Sequence, residues 1–194
     1  IKEDIVLASS QEVSSLIEKL ASDIYKAHAP LKDFAFIGIL SGGFPLALRL
    51  RNQIEKQFNI KLPVGKMDVS LYRDDFHTRS NSFVTLQETD IPFEVSNKHV
   101  ILVDDVLFHG RTARAALDGL SDFGRPKSII LATLVDRGSR EMPIFAQHIG
   151  LQMDTMENNY IKVRFLEIEG EDSIILKKNA VKVKPTTAIP NQIF

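Results

Sequence analysis

One stretch decides the predicted fold: Val100-Ile-Leu-Val-Asp-Asp-Val-Leu-Phe-His-Gly-Arg-Thr112. Its first four residues are apolar and mostly β-branched, which is typical of a strand buried on both faces of a parallel sheet. Two carboxylates follow, and a small-residue turn then leads into Ala113-Arg-Ala-Ala-Leu-Asp-Gly-Leu120, which has the composition of a helix. A strand, a turn and a helix in this order form the first half of a β-α-β unit. It predicts an α/β fold with a mainly parallel central sheet flanked by helices.

The same stretch predicts a site for a phosphorylated sugar and a metal ion. In open α/β sheets, ligands bind beyond the carboxyl ends of the strands. The turn and the start of the helix present backbone N–H groups to an anion. The carboxylates of Asp104 and Asp105 suit sugar hydroxyls or a hydrated Mg²⁺ ion.

Composition bounds the class of protein. A chain of 194 residues suits one domain, which we place at residues 1–180, followed by an extended or disordered tail at 181–194. The net charge of −1 and the hydrophobic fraction of 44% favour neither nucleic acid nor a membrane as partner. There are no cysteines, which excludes disulfides and thiolate metal sites. Ile1-Lys-Glu-Asp4 lacks the features of a signal peptide, so we expect a cytoplasmic protein.

The rest of the chain repeats the pattern of strands and helices. Helices are predicted at residues 10–29 and 45–58, and strands at 34–40, 67–73, 128–135, 146–151, 160–166 and 173–177. Ser41-Gly-Gly43 joins a strand to a helix, and it reads either as a second anion site or as a simple tight turn. The polar residues 74–89 are either a mobile functional loop or a β-hairpin.

Several further motifs carry a family resemblance. They are Leu71-Tyr-Arg-Asp-Asp75, Asp90-Ile-Pro92, Gly110-Arg-Thr112, Gly124-Arg-Pro126, and Leu134-Val-Asp-Arg-Gly138 with Arg140-Glu-Met-Pro143. With the acidic pair, this series resembles the type I phosphoribosyltransferases over residues 16–178. Within them it is similar to bacterial pyrimidine-operon attenuation proteins that are also uracil phosphoribosyltransferases. The resemblance implies the type I fold, with a flexible loop and a small hood beside the sheet.

The resemblance also implies roles for individual residues. Asp104 and Asp105 would hold the ribose hydroxyls, directly or through Mg²⁺, and would be catalytic together with Arg73 at the base of the flexible loop. The implied substrate-binding residues are Ser41, Gly42 and Gly43 at the diphosphate, Val106, Leu107, Phe108, His109, Gly110, Arg111 and Thr112 around the 5-phosphate, and Val135, Asp136 and Arg137 at the base edge.

The chain departs from the family pattern in three features. His109 stands where the phosphate loop ordinarily has Thr, and Ser41-Gly-Gly43 replaces Thr-Arg-Gly. Each loss of a charge-assisted bond costs about 1.5–3 kcal/mol if nothing replaces it. Glu18 and Ser22 stand where relatives that bind leader RNA have Thr and His. A carboxylate facing a phosphate backbone is unfavourable.

Three functions therefore remain open at the level of sequence. The first is a Mg²⁺-dependent phosphoribosyltransferase that converts uracil and phosphoribosyl diphosphate to UMP and diphosphate. The second is a UMP-responsive, RNA-binding regulator of pyrimidine genes. The third is a nucleotide-binding homologue with weak or lost catalysis. The resemblance also implies a homo-oligomer, and nothing indicates a membrane partner.

Overall fold

The apolar stretch before the acidic pair forms the middle strand of a five-stranded parallel sheet. The computed structural model describes residues 4–74, 87–154 and 159–178. In chain order the sheet strands are β2 (Phe34–Ile39), β3 (Val64–Met67), β4 (His99–Leu107), β5 (Ser128–Asp136) and β6 (His148–Gln152). Their order across the sheet is β3-β2-β4-β5-β6, and every neighbouring pair is parallel. The predicted α/β class and parallel sheet are confirmed.

Helices cover both faces of this sheet. They are α1 (Ser10–His28), α2 (Gly43–Phe58) and α3 (Arg111–Leu120). Ile101 and Val103 of β4 pack in the core that α1 and α2 cover, whereas Val100 and Leu102 pack in the core on the side of α3. Because successive side chains of a strand point to opposite faces, a strand covered on both sides must be apolar throughout.

A second, smaller sheet forms the predicted hood. It contains β1 (Asp4–Ala8), β7 (Asn159–Arg164) and β8 (Ser173–Lys178), in the antiparallel order β1-β8-β7. A single helical turn, α4 (Leu166–Glu169), lies between β7 and β8. Arg49 of α2 donates hydrogen bonds to Glu167 and Asp172, which ties the hood to the main body. The sequence did not predict β1, which has only five residues.

The strand predicted at residues 67–73 is wrong beyond its first residue. β3 ends at Met67, and a turn of 3₁₀-helix occupies Ser70–Tyr72. The Asp68 carboxylate causes the turn, because its Oδ1 accepts hydrogen bonds from the Ser70 amide at 2.8 Å and the Ser70 hydroxyl at 2.6 Å. Met67 and Val69 are both buried, which accounts for the strand-like alternation in the sequence.

Two predictions concern parts of the chain outside the described residues. Most of the predicted flexible loop falls at residues 75–86, and the predicted tail at 181–194. Both therefore stay predictions. Among the described residues, no helix has the length and hydropathy that a membrane crossing requires.

A pair of histidines joins α1 to β6 at the amino edge of the sheet. The Nε2 atoms of His28 and His148 lie 2.9 Å apart. Burial, followed by the nearby charge of His99, lowers the pKa of His28 below its ordinary value of 6.5. Burial and the charge of His28 lower the pKa of His148, while Asp23 partly opposes that shift. Both rings are therefore harder to protonate in the folded chain than in the unfolded chain.

We expect acid to destabilise the fold through this pair. The unfolded chain takes up protons near pH 6.5 and the folded chain at lower pH, so stability falls as pH drops through 6.5 towards the lowered values. The melting temperature should fall between pH 7.5 and pH 5. In the His148→Gln variant this fall should be smaller by a few degrees. An unchanged pH dependence in the variant would contradict the assignment. Lys98→Gln, a change at a half-buried lysine next to His99, serves as the control.

Candidate functional site

A cleft of about 580 Å³ opens at the carboxyl ends of β2 and β4, beneath the hood. Its lining from the main body comprises Leu40, Ser41, Gly42, Arg73, residues 104–112 and Arg137. The hood contributes residues 159–163, Phe165, Ile168 and Glu169. The structure thus brings together most of the residues predicted for the site; Gly43, Val135 and Asp136 are the predicted residues that do not line the cleft.

The acidic pair lies within β4, because the strand continues past it to Leu107. Asp104 is buried, and its Oδ1 accepts a hydrogen bond from the Asp105 amide at 3.0 Å. Burial raises the pKa of the Asp104 carboxyl, and the neighbouring Asp105 charge raises it further. Burial also raises the pKa of the Asp105 carboxyl. Two neighbouring carboxylates, one buried and one half-buried, are costly to ionise together unless a cation or several hydroxyl donors approach them.

The donor chemistry of this pair fits Mg²⁺. A hard divalent cation of this size takes oxygen ligands, and it usually keeps water or substrate oxygens in part of its coordination shell. Among the described residues, no group of three or more His, Cys, Asp or Glu side chains is arranged to hold a metal ion. The protein would therefore supply one or both of Asp104 and Asp105, and the substrate would have to supply other ligands.

The turn after β4 has the geometry of an anion site. Gly110, at φ +89°, precedes α3 in a left-handed conformation that favours glycine. The carbonyl of Leu107 accepts from the Arg137 amide at 2.9 Å, and that of His109 accepts from the amides of Glu141 and Met142 at 3.1 and 3.2 Å. The intervening carbonyl, of residue 108, accepts from an arginine side chain at 2.6 Å.

The amides of this turn remain available, in contrast to its carbonyls. Within the described part of the chain, the amides of residues 108–112 donate to no backbone carbonyl. Unused N–H groups at a helix N-terminus bind phosphate through hydrogen bonds and through the positive end of the helix dipole. This turn, residues 108–112, is called the phosphate loop below.

His109 lines the cleft and also contacts two protein groups beside the phosphate loop. Its ring stacks on Phe108, with centroids 3.6 Å apart and planes inclined by 28°. Its Nδ1 lies 3.2 Å from a carboxylate oxygen of Glu141, and Arg111 donates to the other oxygen of the same carboxylate at 2.6 Å. At the end of the phosphate loop, the hydroxyl of Thr112 accepts a hydrogen bond from Arg73 at 2.7 Å.

The loop at Ser41-Gly-Gly43 packs directly against the acidic strand. A Cβ atom built on Gly43 would lie 2.3 Å from the carbonyl oxygen of Val103, and one built on Gly42 would lie 2.4 Å from a carboxylate oxygen of Asp105. Only glycine permits so close an approach. The two predicted anion sites and the acidic pair therefore share one cleft.

At the end of β5, the three residues predicted for the base edge have different environments. Val135 is fully buried in the core. Asp136 is buried as well, and its carboxylate accepts from the Gly138 amide and from Arg140. Arg137 lines the cleft, where its guanidinium carbon lies 3.8 Å from the centre of the Phe108 ring. Arg137 is thus the member of the three whose side chain meets the cleft.

The hood residues of the cleft were not predicted from the sequence. Tyr160, Lys162 and Glu169 contribute polar groups, and Lys162 pairs with Glu169. The apolar run at 160–166 predicted a strand, but no local signal indicated that it would face the acidic pair. That placement depends on how β7 and β8 fold back over the sheet.

Comparison with known proteins agrees with this geometry. A family model described as the phosphoribosyl transferase domain matches residues 7–166. A curated protein of Syntrophobacter fumaroxidans, "Bifunctional protein PyrR", is 41% identical over 175 residues, which cover 90% of this chain and 94% of that protein. A protein of the same name from Thermus aquaticus is 43% identical over 170 residues, covering 88% and 93% of the two chains.

Solved structures show the same fold. A hypoxanthine-guanine phosphoribosyltransferase of Bacillus anthracis superposes with a TM-score of 0.66 at 20% identity, covering 92% of this chain and 99% of that one. The hypoxanthine phosphoribosyltransferase of Trypanosoma cruzi gives a TM-score of 0.64 at 19% identity, with 90% and 97% covered. The match to the family model and the identity to the curated relatives show that this chain belongs to the phosphoribosyltransferase family.

Proposed function

We propose that this protein transfers the phosphoribosyl group of phosphoribosyl diphosphate to a pyrimidine base, with uracil as the preferred base and UMP and diphosphate as products. The observation that carries the proposal is the joint placement of three features in one cleft. Free amides of the phosphate loop, the carboxylates of Asp104 and Asp105 and the glycine loop at residues 41–43 lie around the same space. A phosphorylated pentose with a diphosphate group on C1 matches these features: its two phosphate-bearing positions suit the two loops, and its hydroxyls suit the carboxylates.

In the proposed reaction, the bond between the sugar C1 and the diphosphate oxygen breaks, and a bond between C1 and a ring nitrogen of the base forms. The base loses the proton on that nitrogen, which passes to the departing diphosphate or to water. The sugar passes through an oxocarbenium-like state, so the chain needs no nucleophile of its own. It binds the 5-phosphate at the phosphate loop and holds the ribose hydroxyls at Asp104 and Asp105, and this positioning supplies much of the rate.

Charge develops on the departing diphosphate. Arg73 lines the cleft beside Thr112, and we assign to it the stabilisation of this charge, together with the backbone at residues 41–43. Mg²⁺ bound through Asp104 and Asp105 would supply further electrostatic stabilisation of the leaving group. The hood covers the cleft and limits the access of water to the reacting carbon. Arg137, which meets the cleft, is our candidate for contact with the base edge.

Turnover with a panel of bases tests the proposal. UMP formation and diphosphate release should be measured with phosphoribosyl diphosphate, Mg²⁺ and uracil, cytosine, hypoxanthine or guanine. We expect uracil to give the highest kcat/KM, by at least about tenfold, because a site built for particular polar edges rejects bases that leave its donors unpaired.

Binding measurements separate the remaining outcomes of this test. Binding of UMP by calorimetry, without turnover of any base, would contradict catalysis and leave a nucleotide-binding homologue. A homologue without catalysis is a specific alternative, because Gly42 and His109 replace groups that other members of the family carry. Turnover that is faster with a purine than with uracil would contradict the assigned base.

RNA binding is a second candidate, and its basis is the similarity to relatives named bifunctional. The described residues support RNA binding less well than they support phosphoribosyl transfer. Glu18 is exposed on α1, and the side chains of Arg137 and Arg140 are largely buried. A titration with a pyrimidine-operon leader at two salt concentrations tests it, and affinity equal to that for random RNA would exclude it. We also infer a homo-oligomer from the resemblance.

A further inference from the structure

The guanidinium group of Arg140 joins the phosphate loop to two other segments of the chain. Its side chain is only 11% exposed. It donates hydrogen bonds to the carbonyl of Phe108 at 2.6 Å, the carbonyl of Gly138 at 2.8 Å, the carbonyl of Ile144 at 2.8 Å and the carboxylate of Asp136 at 2.5 Å. One side chain therefore links the phosphate loop, the end of β5 and the segment that leads to β6.

The charge of Arg140 is paired with a carboxylate inside the protein. Asp136, whose side chain is 7% exposed, lies at 2.5 Å and neutralises the guanidinium. A cation that is buried and paired in this way does not act as a contact for an anion arriving from solvent. The planar fork of arginine donates in several fixed directions, which suits acceptors on different segments better than the point charge of lysine does.

Peptide geometry connects these contacts to the phosphate loop. In a trans peptide unit, the carbonyl of one residue and the amide of the next are coplanar and point in opposite directions. Holding the carbonyl of Phe108 therefore also fixes the direction of the His109 N–H. The peptide units on either side are held by backbone donors, namely the amides of Arg137, Glu141 and Met142. Arg140 is the side chain that holds the central unit of the three.

We propose that Arg140 is a positioning residue that orients the amides of the phosphate loop for the 5-phosphate. This inference rests on the proposed function only in that the loop binds the phosphate of a phosphorylated pentose. It predicts that loss of the guanidinium weakens phosphate binding, although the side chain does not touch the ligand. Removing fixed donors from a charged ligand lowers affinity by about tenfold to a hundredfold.

Calorimetric binding of ribose 5-phosphate tests the inference without any need for turnover. The wild type is compared with Arg140→Gln and with Arg140→Lys, which keeps the charge and loses the fork. Arg125→Gln is the matched control, at an exposed arginine that does not line the cleft. We expect Arg140→Gln to bind about tenfold to a hundredfold more weakly, Arg140→Lys to be intermediate, and the control to stay within about twofold of the wild type. Wild-type affinity in a folded Arg140→Gln variant would overturn the inference.

Chemical rescue distinguishes positioning from a general loss of folding. Millimolar guanidinium should restore part of the ribose 5-phosphate affinity of Arg140→Ala, whereas sodium chloride at the same concentration should not. Loss of affinity that follows the unfolded fraction in circular dichroism, with no rescue, would overturn the positioning role. A wild type that binds ribose 5-phosphate but makes no nucleotide from any base would contradict the proposed function and leave this inference standing. A wild type that does not bind ribose 5-phosphate would overturn the inference itself.

Discussion

Replacing both Asp104 and Asp105 by Asn should lower kcat/KM for nucleotide formation by at least about a hundredfold, while the melting temperature stays level or rises. Preorganised groups that stabilise developing charge typically contribute a hundredfold to a thousandfold each. Stability should respond differently, because burial raises the pKa of both carboxyl groups and the charge of Asp105 adds to the effect on Asp104. Neutral amides of the same shape remove this cost of ionisation.

Steady-state kinetics and thermal unfolding of the same preparations check this prediction. Each single variant should lose activity as well, because both carboxylates line the cleft. Asp118→Asn is the matched control, since Asp118 is half exposed on α3 and pairs with Arg114 away from the cleft. Retained activity in the double variant would refute the role of the pair. A large drop in its melting temperature would instead identify the pair as structural.

Gly43→Ala should be the most damaging alanine substitution in the glycine loop at residues 41–43. Its Cβ would lie 2.3 Å from the Val103 carbonyl oxygen and 3.1 Å from the Asp104 Cα atom, and both belong to the backbone of the central strand. The strand cannot move aside, so the loop must shift. We expect a loss of about 1–3 kcal/mol in the free energy of unfolding, which is the usual cost of overpacking a core. We also expect at least about a hundredfold loss in kcat/KM, because the loop is displaced from the reacting centre.

Gly42→Ala provides the matched comparison one residue earlier. Its Cβ would meet the carboxylate end of Asp105 at 2.4 Å, which can rotate away, and the Asp105 Cβ at 3.0 Å, which needs only a small shift. We therefore expect nearly unchanged stability and a kcat/KM lowered by about tenfold, because the carboxylate leaves its position. Chemical denaturation and steady-state kinetics measure both effects. A Gly43→Ala protein as stable and active as Gly42→Ala would contradict the close seating of the loop on β4.

Sequence patterns predicted the central sheet well, for a clear physical reason. A strand covered on both faces must be apolar at every position, and residues 34–39 and 100–103 meet this condition over several consecutive residues. The strand predicted at 67–73 failed because buried residues at 67 and 69 imitate a strand, whereas the Asp68 side chain turns the backbone. A local hydrogen bond of this kind competes with strand pairing and leaves the hydrophobic pattern unchanged.

The candidate site was predictable where its residues are neighbours in sequence. Residues 104–112 form one continuous stretch, so the acidic pair and the phosphate loop were assigned together. Contacts between distant segments could not be inferred in this way. Arg140 reaches the carbonyl of Phe108 across 32 positions, and nothing in its local sequence separates an internal brace from a surface cation. The hood side of the cleft has the same difficulty, because its placement follows from tertiary packing.

A crystal structure of the protein with UMP and Mg²⁺ would test the central claim most directly. We predict the 5-phosphate on the amides of residues 108–112, the ribose hydroxyls at Asp104 and Asp105, and the base beneath the hood beside Arg137. A nucleotide whose phosphate lies away from the phosphate loop, or whose sugar does not meet the acidic pair, would contradict this account.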